Sequence, residues 1–304
     1  MIQKIAVIMG GLSHEREISL VSGRSVAAAL KKRGYQVKSI DLTDNIFAFL
    51  KQLKSFKPDV IFNALHGTYG EDGTIQGMLN LLKIPYTHSG VLASAIGMDK
   101  EKTRILAREL NIPVAKGGLM TKQQMLDRPF PLPYVAKPNA DGSSIDVVIV
   151  RTKKEHQLFL KKWAKNKVLL VEEYIPGREL SAAVLKDDCL GSIELVTKTG
   201  FYDYKNKYTD GNTTHLIPAP IPKKQAKLMA EYAIKIHKAL GCRGVSRSDF
   251  RYDDTDKKHP RLVFLEINTN PGMTPLSLVP DIAKNKKITY DVLVEKLVKE
   301  AKCD

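Results

Sequence analysis

The sequence predicts a mixed fold, α/β in the first third of the chain and α+β in the rest, from three observations. First, strand-like and helical patterns alternate along residues 1–90. The apolar runs are 5–9, 36–41 and 60–64, and the helical patterns are 19–33, 46–56 and 73–82. Such alternation predicts a parallel sheet covered by helices. Second, residues 244–252 and 262–268 have the period of strands, and third, helical patterns at 221–240 and 290–302 flank them.

We predict three structural units, with boundaries at 1–90, 91–179 and 180–304. A chain of 304 residues can hold two or three domains. The second unit opens with a helical pattern at 99–110 and ends in an apolar run at 168–175, with a further strand, 84–86, closing the first unit. Residues 202–211 are polar and aromatic without a core period, which predicts a mobile surface loop.

Composition excludes several classes of protein. No run approaches the roughly 18 to 20 apolar residues of a membrane helix, and the apolar start is too short for a secretory signal. The three cysteines, Cys189, Cys242 and Cys303, have no CxxC spacing, so they predict neither a disulfide framework nor a zinc site. The net charge of +15 on its own admits nucleic acid, but the lysines are scattered and no aromatic residues interleave with them. We therefore expect a cytoplasmic protein that binds small anionic substrates and neither membrane nor nucleic acid.

The two C-terminal strand patterns carry the most informative polar residues. Side chains alternate along a strand, so Glu266 and Asn268 share one face, and Arg247 and Asp249 share a face of the other strand. Three apolar residues are predicted to fill the core on the opposite side: Val263, Leu265 and Ile267. Two carboxylates and an amide offer only oxygen atoms, which suits Mg²⁺. A hairpin with one solvated face is the alternative, but the turn signal at 270–272 favours a nucleotide and metal site.

The chain has neither of the motifs G-x-x-x-x-G-K-[ST] and G-x-G-x-x-G, so phosphate must be bound by other residues. The candidate is Lys137 at the end of an apolar strand, followed by Gly142 and two serines that can donate to phosphate oxygens. Lys100 opens a helix, where a cation is unfavourable to the helix dipole, which hints at an anionic partner; a solvated lysine is the alternative. Glu172 and Glu179 follow the apolar run, and unpaired main chain beside Glu172 could bind adenine while Glu179 binds ribose. A plain interdomain linker would have the same composition.

A series of short segments then occurs in one order along nearly the whole chain. They are GGLSHEREIS at 10–19, HGTYGEDGTIQG at 66–77, MDK at 98–100, KP with GSS at 137–144, EEYIPGRE at 172–179, YDYKNKY at 202–208, RSD at 247–249, EINTNPGMT at 266–274 and SLVP at 277–280. With these segments the chain resembles the D-alanine–D-alanine ligase family of the ATP-grasp superfamily. Any one of them is modest evidence, but the ordered set is specific.

The resemblance implies a fold and an activity. The fold is an N-terminal parallel-sheet (pre-ATP-grasp) domain at 1–90, followed by a two-lobed ATP-grasp fold. Its central ATP-binding lobe is 91–179 and its C-terminal lobe with the metal site is 180–304. The activity is ATP-dependent ligation of two D-alanines through an acyl phosphate, for peptidoglycan precursor synthesis and hence cell wall biogenesis and cell shape. The family also implies a homodimer.

The resemblance also implies a role for each site residue. At the nucleotide it implies Lys100 and Lys137 on phosphates, Glu172, Tyr174 and Ile175 at adenine, and Glu179 at ribose. Two Mg²⁺ ions, for which Mn²⁺ can substitute, are implied at Asp249, Glu266 and Asn268. At the reacting groups it implies one hydrogen-bonded group formed by Glu15, Ser143 and Tyr208. It also implies that Arg247 and the Gly272 main chain stabilise the oxyanion. Implied at the substrate pocket are Ser277, Leu278 and Lys207 for the second D-alanine, with His66 beside it in a direct or a structural role.

The sequence departs from the family pattern in a few positions. Asp141 stands where glutamate is commoner and Asp146 where glycine is usual, so we expect Asp146 to point away from phosphate. Residues 275–276 also differ from the commoner residues before Ser277. A D-alanine–D-lactate ligase is the nearest alternative, but such enzymes usually have phenylalanine where this chain has Tyr208. Another ATP-grasp carboxylate–amine ligase is disfavoured by Glu15 and the 66–77 segment, and a nucleotide sensor by the complete metal-ligand set.

Overall fold

The computed structural model describes residues 2–142, 146–197 and 213–304, which form three sheets with covering helices. The elements of the first unit are β1 (Lys4–Gly10), α1 (Arg16–Lys32), β2 (Gln36–Leu42), α2 (Ile46–Phe56), β3 (Val60–Asn63) and α3 (Thr74–Leu81). The three strands are parallel in the order β2-β1-β3. Both faces of β1 are buried: Ile5 and Val7 lie in one apolar cluster, and Ala6 and Ile8 in another. Two covered faces are what a parallel sheet requires, so the predicted architecture of this unit is confirmed.

Residues 84–86 do not form the strand predicted for them. They make isolated bridges, in which Tyr86 pairs with Ile61 and with Lys302. Pro85 has no N–H to extend a ladder, although its carbonyl accepts from the Ile61 N–H at 2.8 Å. The chain therefore leaves the first sheet at this point.

The second unit is a four-stranded antiparallel sheet with helices before and beside it. Its elements are α4 (Val91–Met98), α5 (Lys100–Glu109), β4 (Gly117–Thr121), α6 (Lys122–Asp127), β5 (Tyr134–Lys137), β6 (Val148–Val150), α7 (Lys153–Lys162) and β7 (Val168–Glu173). The strand order is β4-β7-β5-β6, which places β7 inside the sheet. An apolar cluster that includes Tyr134, Trp163 and Val171 covers one face.

The third unit is a five-stranded antiparallel sheet. Its elements are β8 (Arg178–Leu185), β9 (Asp188–Thr197), β10 (Thr213–Leu216), α8 (Lys223–Leu240), β11 (Val245–Asp253), β12 (Arg261–Asn268), α9 (Leu278–Asn285) and α10 (Tyr290–Lys299). The strand order is β10-β9-β8-β11-β12. Met229 and Ile236 of α8 pack with Phe250 and Phe264 of the sheet. No helix in the described parts of the chain is both long and apolar enough to span a bilayer.

One apolar cluster joins the first and third units. It includes Val26 and Leu30 of α1, Ile193 of β9, and Leu293 and Leu297 of α10. The shared core holds the carboxyl end of the parallel sheet against the end of β12. Ligands of α/β sheets bind at that end of the strands, so the packing of the two units positions a site there.

Candidate active site

The pairing of β11 with β12 builds the centre of the site. Asp249 lies opposite Glu266, and Arg247 lies opposite Asn268. Residues that are directly opposite each other in an antiparallel pair share a face of the sheet. The structure therefore brings together four polar side chains that the strand period placed on two separate segments.

A β-bulge in β12 changes which apolar residues lie beside them. The register passes from Asp249–Glu266 to Phe250–Phe264, which leaves Leu265 without an opposite residue. An extra residue reverses the alternation of side chains beyond it. Val263 accordingly joins the cluster of Ala115 and Ile175, while Ile267 packs with the residues of α8. The prediction that Val263, Leu265 and Ile267 share one core face was wrong for this reason, and Leu265 is only half-buried.

Each carboxylate of this centre already contacts a cation. The Arg247 guanidinium donates to both oxygens of Asp249, each at 2.8 Å, and Ser181 Oγ donates to Asp249 Oδ1 at 2.7 Å. Lys100 Nζ lies 3.2 Å from Glu266 Oε2. A bidentate guanidinium fixes the plane of a carboxylate, whereas a single ammonium does not. Asp249 is therefore held in one orientation.

The phosphate-loop candidates converge on the start of α5. The Lys100 N–H donates to the Asn139 carbonyl at 3.0 Å, and the Glu101 N–H donates to Asn139 Oδ1 at 2.9 Å. Lys100 Nζ also donates to the carbonyl of Asp141 at 2.6 Å. The segment that follows Lys137 is thus docked on the helix that carries Lys100, which places both lysines at one loop.

Glu172 is buried inside the second sheet, not at an open edge. Its side chain contacts Lys137 Nζ through Oε1, and its Oε2 lies 3.6 Å from Arg104 Nε. Its main chain lies between Gly117 of β4 and Val135 of β5. The prediction of unpaired main chain beside Glu172 is corrected accordingly, because β7 is an interior strand whose neighbours also take up the N–H groups of the next two residues.

The proposed base and ribose positions follow β7. Ile175 is buried in a small apolar cluster with Ala115 and Val263. The Tyr174 ring lies 5.5 Å from the Arg151 guanidinium. Glu179 of β8 lies opposite Arg251 of β11, and its Oε2 is 3.5 Å from the Arg251 guanidinium.

At the carboxyl end of the first sheet, Glu15 is buried between two glycines from different units. A Cβ added to Gly67 or to Gly142 would lie 2.9 Å from Glu15 Oε2. Neither position can therefore accept a side chain without displacing the carboxylate. Gly142 belongs to the loop that follows Lys137, so this carboxylate lies where the first unit meets the phosphate-loop candidate.

The His66 ring is engaged on both sides by protein groups. Nδ1 lies 3.1 Å from Glu71 Oε1, and Nε2 lies 3.2 Å from Ser22 Oγ. Burial raises the pKa of the Glu71 carboxyl, and the charge of Glu15 raises it further. These contacts favour the structural role for His66 over the direct one.

The residues proposed for the second substrate surround a tight turn. Ser277 Oγ accepts from the Thr274 N–H at 3.0 Å and shares a 2.8 Å hydrogen bond with Thr274 Oγ1. A Cβ on Gly272 would lie 3.1 Å from Ser277 Oγ, so the Gly272 main chain closely approaches this hydroxyl. Leu278 is the first residue of α9, where free N–H groups favour an anion. The Asn270 side chain ties this turn to the first sheet by donating to the Leu65 carbonyl at 2.8 Å.

The two unusual aspartates of the loop make different contacts. Asp141 contributes only its carbonyl to Lys100. Asp146 has a φ of 56°, the left-handed conformation that glycine adopts most easily, and its carboxylate lies 3.2 Å from Lys167 Nζ. Ser143, Lys207, Tyr208 and the segment 202–211 lie outside the described residues.

Sequence reasoning missed two residues that the structure places at the site. Ser181 fixes Asp249, and Arg104 contacts Glu172. A serine in a buried strand and an arginine in an amphipathic helix carry no signal of their own, since both are common in those positions. Their partners lie far along the chain, and only the fold brings them into contact.

The chemistry of the donor set suits a hard divalent cation. Asp249, Glu266 and Asn268 offer oxygen atoms only, and soft ligands are lacking among them. Within residues 2–142, 146–197 and 213–304, no three His, Cys, Asp or Glu side chains form a metal-binding group. The set proposed here has two carboxylates, Asp249 and Glu266, and its third member is the amide of Asn268.

Comparison with known proteins identifies the family. A model described as D-ala D-ala ligase C-terminus matches residues 106–299, and one described as D-ala D-ala ligase N-terminus matches residues 4–58 and 45–89. A D-alanine–D-alanine ligase from Paramagnetospirillum magneticum is 49% identical over 309 residues, which is 100% of each chain.

Two solved structures have the same fold. A D-alanine–D-alanine ligase from Bacillus anthracis superposes with a TM-score of 0.83 at 32% identity, covering 98% of this chain and 97% of that one. A Bacillus anthracis D-alanine–D-alanine ligase complexed with ATP gives a TM-score of 0.82 at 30% identity, with the same coverage of 98% and 97%.

A parallel-sheet unit followed by two antiparallel-sheet units, with lysines and carboxylates gathered between them, places the protein among the ATP-grasp ligases. The match of the family models and the end-to-end similarity to the relatives then decide which ligases these are. The chain belongs to the D-alanine–D-alanine ligase family, as the ordered segments predicted. The domain boundaries at residues 90 and 179 stay a prediction.

Proposed function

We propose that the protein joins two D-alanines into D-alanyl-D-alanine, in an ADP-forming reaction that passes through an acyl phosphate and serves peptidoglycan precursor synthesis. The observation that carries the proposal is the juxtaposition of Asp249 with Glu266 and of Arg247 with Asn268 on one face of the third sheet. The end-to-end similarity to enzymes named D-alanine–D-alanine ligase supports the choice of substrates. The nucleotide is ATP, in line with the solved relative that was crystallised with it.

The metal-binding residues in this proposal are Asp249, Glu266 and Asn268. Mg²⁺, in two ions for which Mn²⁺ can substitute, would neutralise charge on the transferring phosphoryl group. The Glu266 side chain pairs with Lys100 and is 29% exposed, so a cation from solvent can reach it. Lys100 would then be free for the phosphate oxygens, next to Lys137.

The remaining nucleotide contacts come from the second sheet and β8. Lys137 supplies a phosphate-binding charge, and Glu172, Tyr174 and Ile175 surround the adenine. Glu179 takes the ribose hydroxyls. The apolar cluster made by Ile175 with Ala115 and Val263 supports the adenine position, because the bulge in β12 directs Val263 to this side.

The chemical steps depend on position and charge. Glu15 would bind the ammonium of the first D-alanine, in a group with Ser143 and Tyr208. The carboxylate of that D-alanine attacks the γ-phosphate of ATP, so that ADP leaves and the acyl phosphate forms. The amine of the second D-alanine then attacks the acyl phosphate and phosphate leaves. Arg247 and the Gly272 main chain would stabilise the oxyanion of the tetrahedral intermediate.

The second D-alanine would be held through its carboxylate. Ser277 and Leu278 lie at the start of α9, whose N–H groups favour an anion, and Lys207 would approach from the loop 202–211. His66 would act through Glu71 and Ser22, which fix its ring. We further propose a cytoplasmic homodimer; the three free cysteines, each half-buried, agree with a reducing compartment.

The test is a product assay with a panel of acceptors. The protein is incubated with ATP, Mg²⁺ and single D- or L-amino acids, or with D-alanine plus D-lactate or D-serine, and products are measured by mass spectrometry together with released phosphate. We expect one phosphate per D-alanyl-D-alanine and little release with L-alanine. Preferred formation of an ester or of a mixed dipeptide at neutral pH would refute the proposed specificity, and phosphate release without any ligation product would refute the ligase activity.

A further inference from the structure

Arg104 is a buried cation in the middle of α5, with a side chain only 1% exposed. Its guanidinium reaches three different parts of the chain. Nη1 donates to Glu101 Oε2 at 2.5 Å, Nη2 donates to the carbonyl of Ala115 at 2.6 Å, and Nε lies 3.6 Å from Glu172 Oε2. A buried charge is costly unless it is paired. Glu101 and the Ala115 carbonyl accept hydrogen bonds from the guanidinium, whereas Glu172 faces the buried Nε as an ion-pair partner without a hydrogen bond.

Glu172 is shared between Arg104 and Lys137. Its Oε2 faces Arg104 and its Oε1 contacts Lys137 Nζ. Lys137 lies opposite Leu170, and Glu172 is two residues further along β7, so the lysine and the glutamate are diagonal neighbours on one face. The buried Glu172 carboxylate thus orients the Lys137 ammonium while it also faces a second cation, Arg104.

The neighbouring strand β4 approaches Glu172 closely. Gly117 lies opposite Glu172 and has a φ of 139°, and a Cβ there would lie 2.1 Å from the Val171 carbonyl oxygen. A side chain at this position is therefore excluded, because it would clash with the main chain of β7.

Arg104 also follows Lys100 by four residues on α5, so the two side chains lie on the same face of the helix. Ala115, whose carbonyl accepts from Arg104, belongs to the apolar cluster with Ile175 and Val263. Arg104 therefore lies on the helix face of Lys100 and faces the carboxylate that contacts Lys137. It also donates to Ala115 of the apolar cluster beside the proposed adenine position.

We infer that Arg104 is a positioning residue of the nucleotide site: it fixes Glu172, and through Glu172 it sets the position of the Lys137 ammonium for the phosphates. The inference rests on the proposed function. Arginine is needed because its planar guanidinium donates hydrogen bonds to Glu101 and the Ala115 carbonyl while its Nε side keeps a positive charge 3.6 Å from Glu172, whereas the single ammonium of a lysine cannot face all three groups. Without the guanidinium, Glu172 is neutralised by Lys137 alone, and the carboxylate competes with phosphate for that ammonium.

The test compares nucleotide affinity in matched variants of the full chain. ADP binding with Mg²⁺ is measured by calorimetry for the wild type, Arg104→Met, Arg104→Lys and the control Arg108→Met. Arg108 lies on the same helix and contacts the same Glu101, but it is largely solvated and does not reach Glu172. We expect Arg104→Met to weaken ADP binding about tenfold, a typical coupling within one polar network. Arg104→Lys should retain part of the affinity, and Arg108→Met should stay within about twofold of the wild type.

Two further measurements separate positioning from folding. The KM for ATP should rise in Arg104→Met while the KM for D-alanine is unchanged, which a general loss of structure would not produce. In a double-mutant cycle with Glu172→Gln, the two losses of ADP affinity should be less than additive, because both act on Lys137. Should Arg104→Met fail to fold, Arg104→Lys, which keeps the charge, carries the same comparisons.

The outcomes distinguish the inference from the function on which it rests. Wild-type ADP affinity in the folded Arg104 variants, or fully additive losses in the cycle, would overturn the inference and leave the ligase proposal intact. Absence of ADP binding by the wild type would refute both. An equal loss in Arg108→Met would show that helix charge, not the contact with Glu172, controls affinity, and it would also overturn the inference.

Discussion

Two carboxylate centres of the site use the same chemistry at different depths. On the third sheet, Glu266 pairs with Lys100, and its side chain is 29% exposed. On the second sheet, Glu172 pairs with Lys137 and Arg104, and its side chain is 5% exposed. Both lysines are proposed phosphate ligands. The centres therefore differ in burial, although each pairs a carboxylate with a lysine proposed to bind phosphate.

The difference in burial determines how easily each ion pair can exchange partners. A partly exposed ion pair contributes little to stability because water screens it, so its members can exchange partners when a metal and a nucleotide arrive. A buried pair is expensive to break, so its members keep their positions. We propose that the Glu266–Lys100 pair rearranges during the reaction, while the buried Glu172–Lys137 pair supplies fixed support.

We expect the largest effects when one carboxylate is neutralised at each centre, and these effects test whether the two centres differ in function. Glu266→Gln should lower kcat about 10³-fold by weakening the metal site, while the free energy of unfolding changes by less than about 1 kcal/mol, since the lost pair is partly exposed. Glu172→Gln should instead destabilise the protein by about 3 kcal/mol, because the buried Lys137 loses the carboxylate that it contacts and Arg104 keeps only Glu101. Phosphate release under saturating substrates and urea unfolding measure the two effects. Equal loss of stability in both variants would contradict the assignment of separate duties.

A change at Arg247 sharpens the contrast within the third sheet. Arg247→Lys removes the bidentate grip on Asp249, and we expect kcat to fall about 100-fold from lost oxyanion stabilisation and a misoriented metal ligand. Arg251→Lys is the matched control, since Arg251 lies on the same face of β11 but donates to the carbonyls of Ile175 and Gly177. That control should raise the KM for ATP by less than about fivefold and leave kcat near the wild-type value. Parallel losses of kcat in both variants would show that any guanidinium on this face, and not the contact of Arg247 with Asp249, is what matters.

The sequence predicted the members of the third-sheet centre better than those of the second. Glu266 and Asn268 lie two residues apart on one strand, so their common face follows from the strand period alone. The bulge at Leu265 could not be predicted, because an apolar residue suits either face, and it moved Val263 to the nucleotide side. Arg104 was missed for a related reason: its burial depends on Glu172, which the fold brings to it from a distant strand.

The overall fold was more predictable than these contacts. Alternating apolar runs and helical patterns defined the parallel sheet of the first unit, and α2 begins and ends at the residues expected. Such patterns reflect burial repeated over many residues, whereas a single contact depends on one pair. This is why the elements were found and the support of Glu172 was not.

The smallest expected effect concerns the loop between the two centres. Asp146 has a left-handed φ of 56° and pairs with Lys167 on the surface. Asp146→Gly removes a carboxylate that is directed away from the phosphates, so kcat and the KM for ATP should stay within about twofold of the wild type.

Lys167→Met provides the sharper test, because it leaves Asp146 without its cation. The freed carboxylate can turn toward the phosphate loop, and screened repulsion should raise the KM for ATP about threefold. Adding Asp146→Gly to Lys167→Met should restore the wild-type KM, and the effect should shrink as salt is raised. If Lys167→Met is silent, or if the double variant keeps the raised KM, the surface pair does not control this carboxylate, and the loop tolerates the charge for another reason.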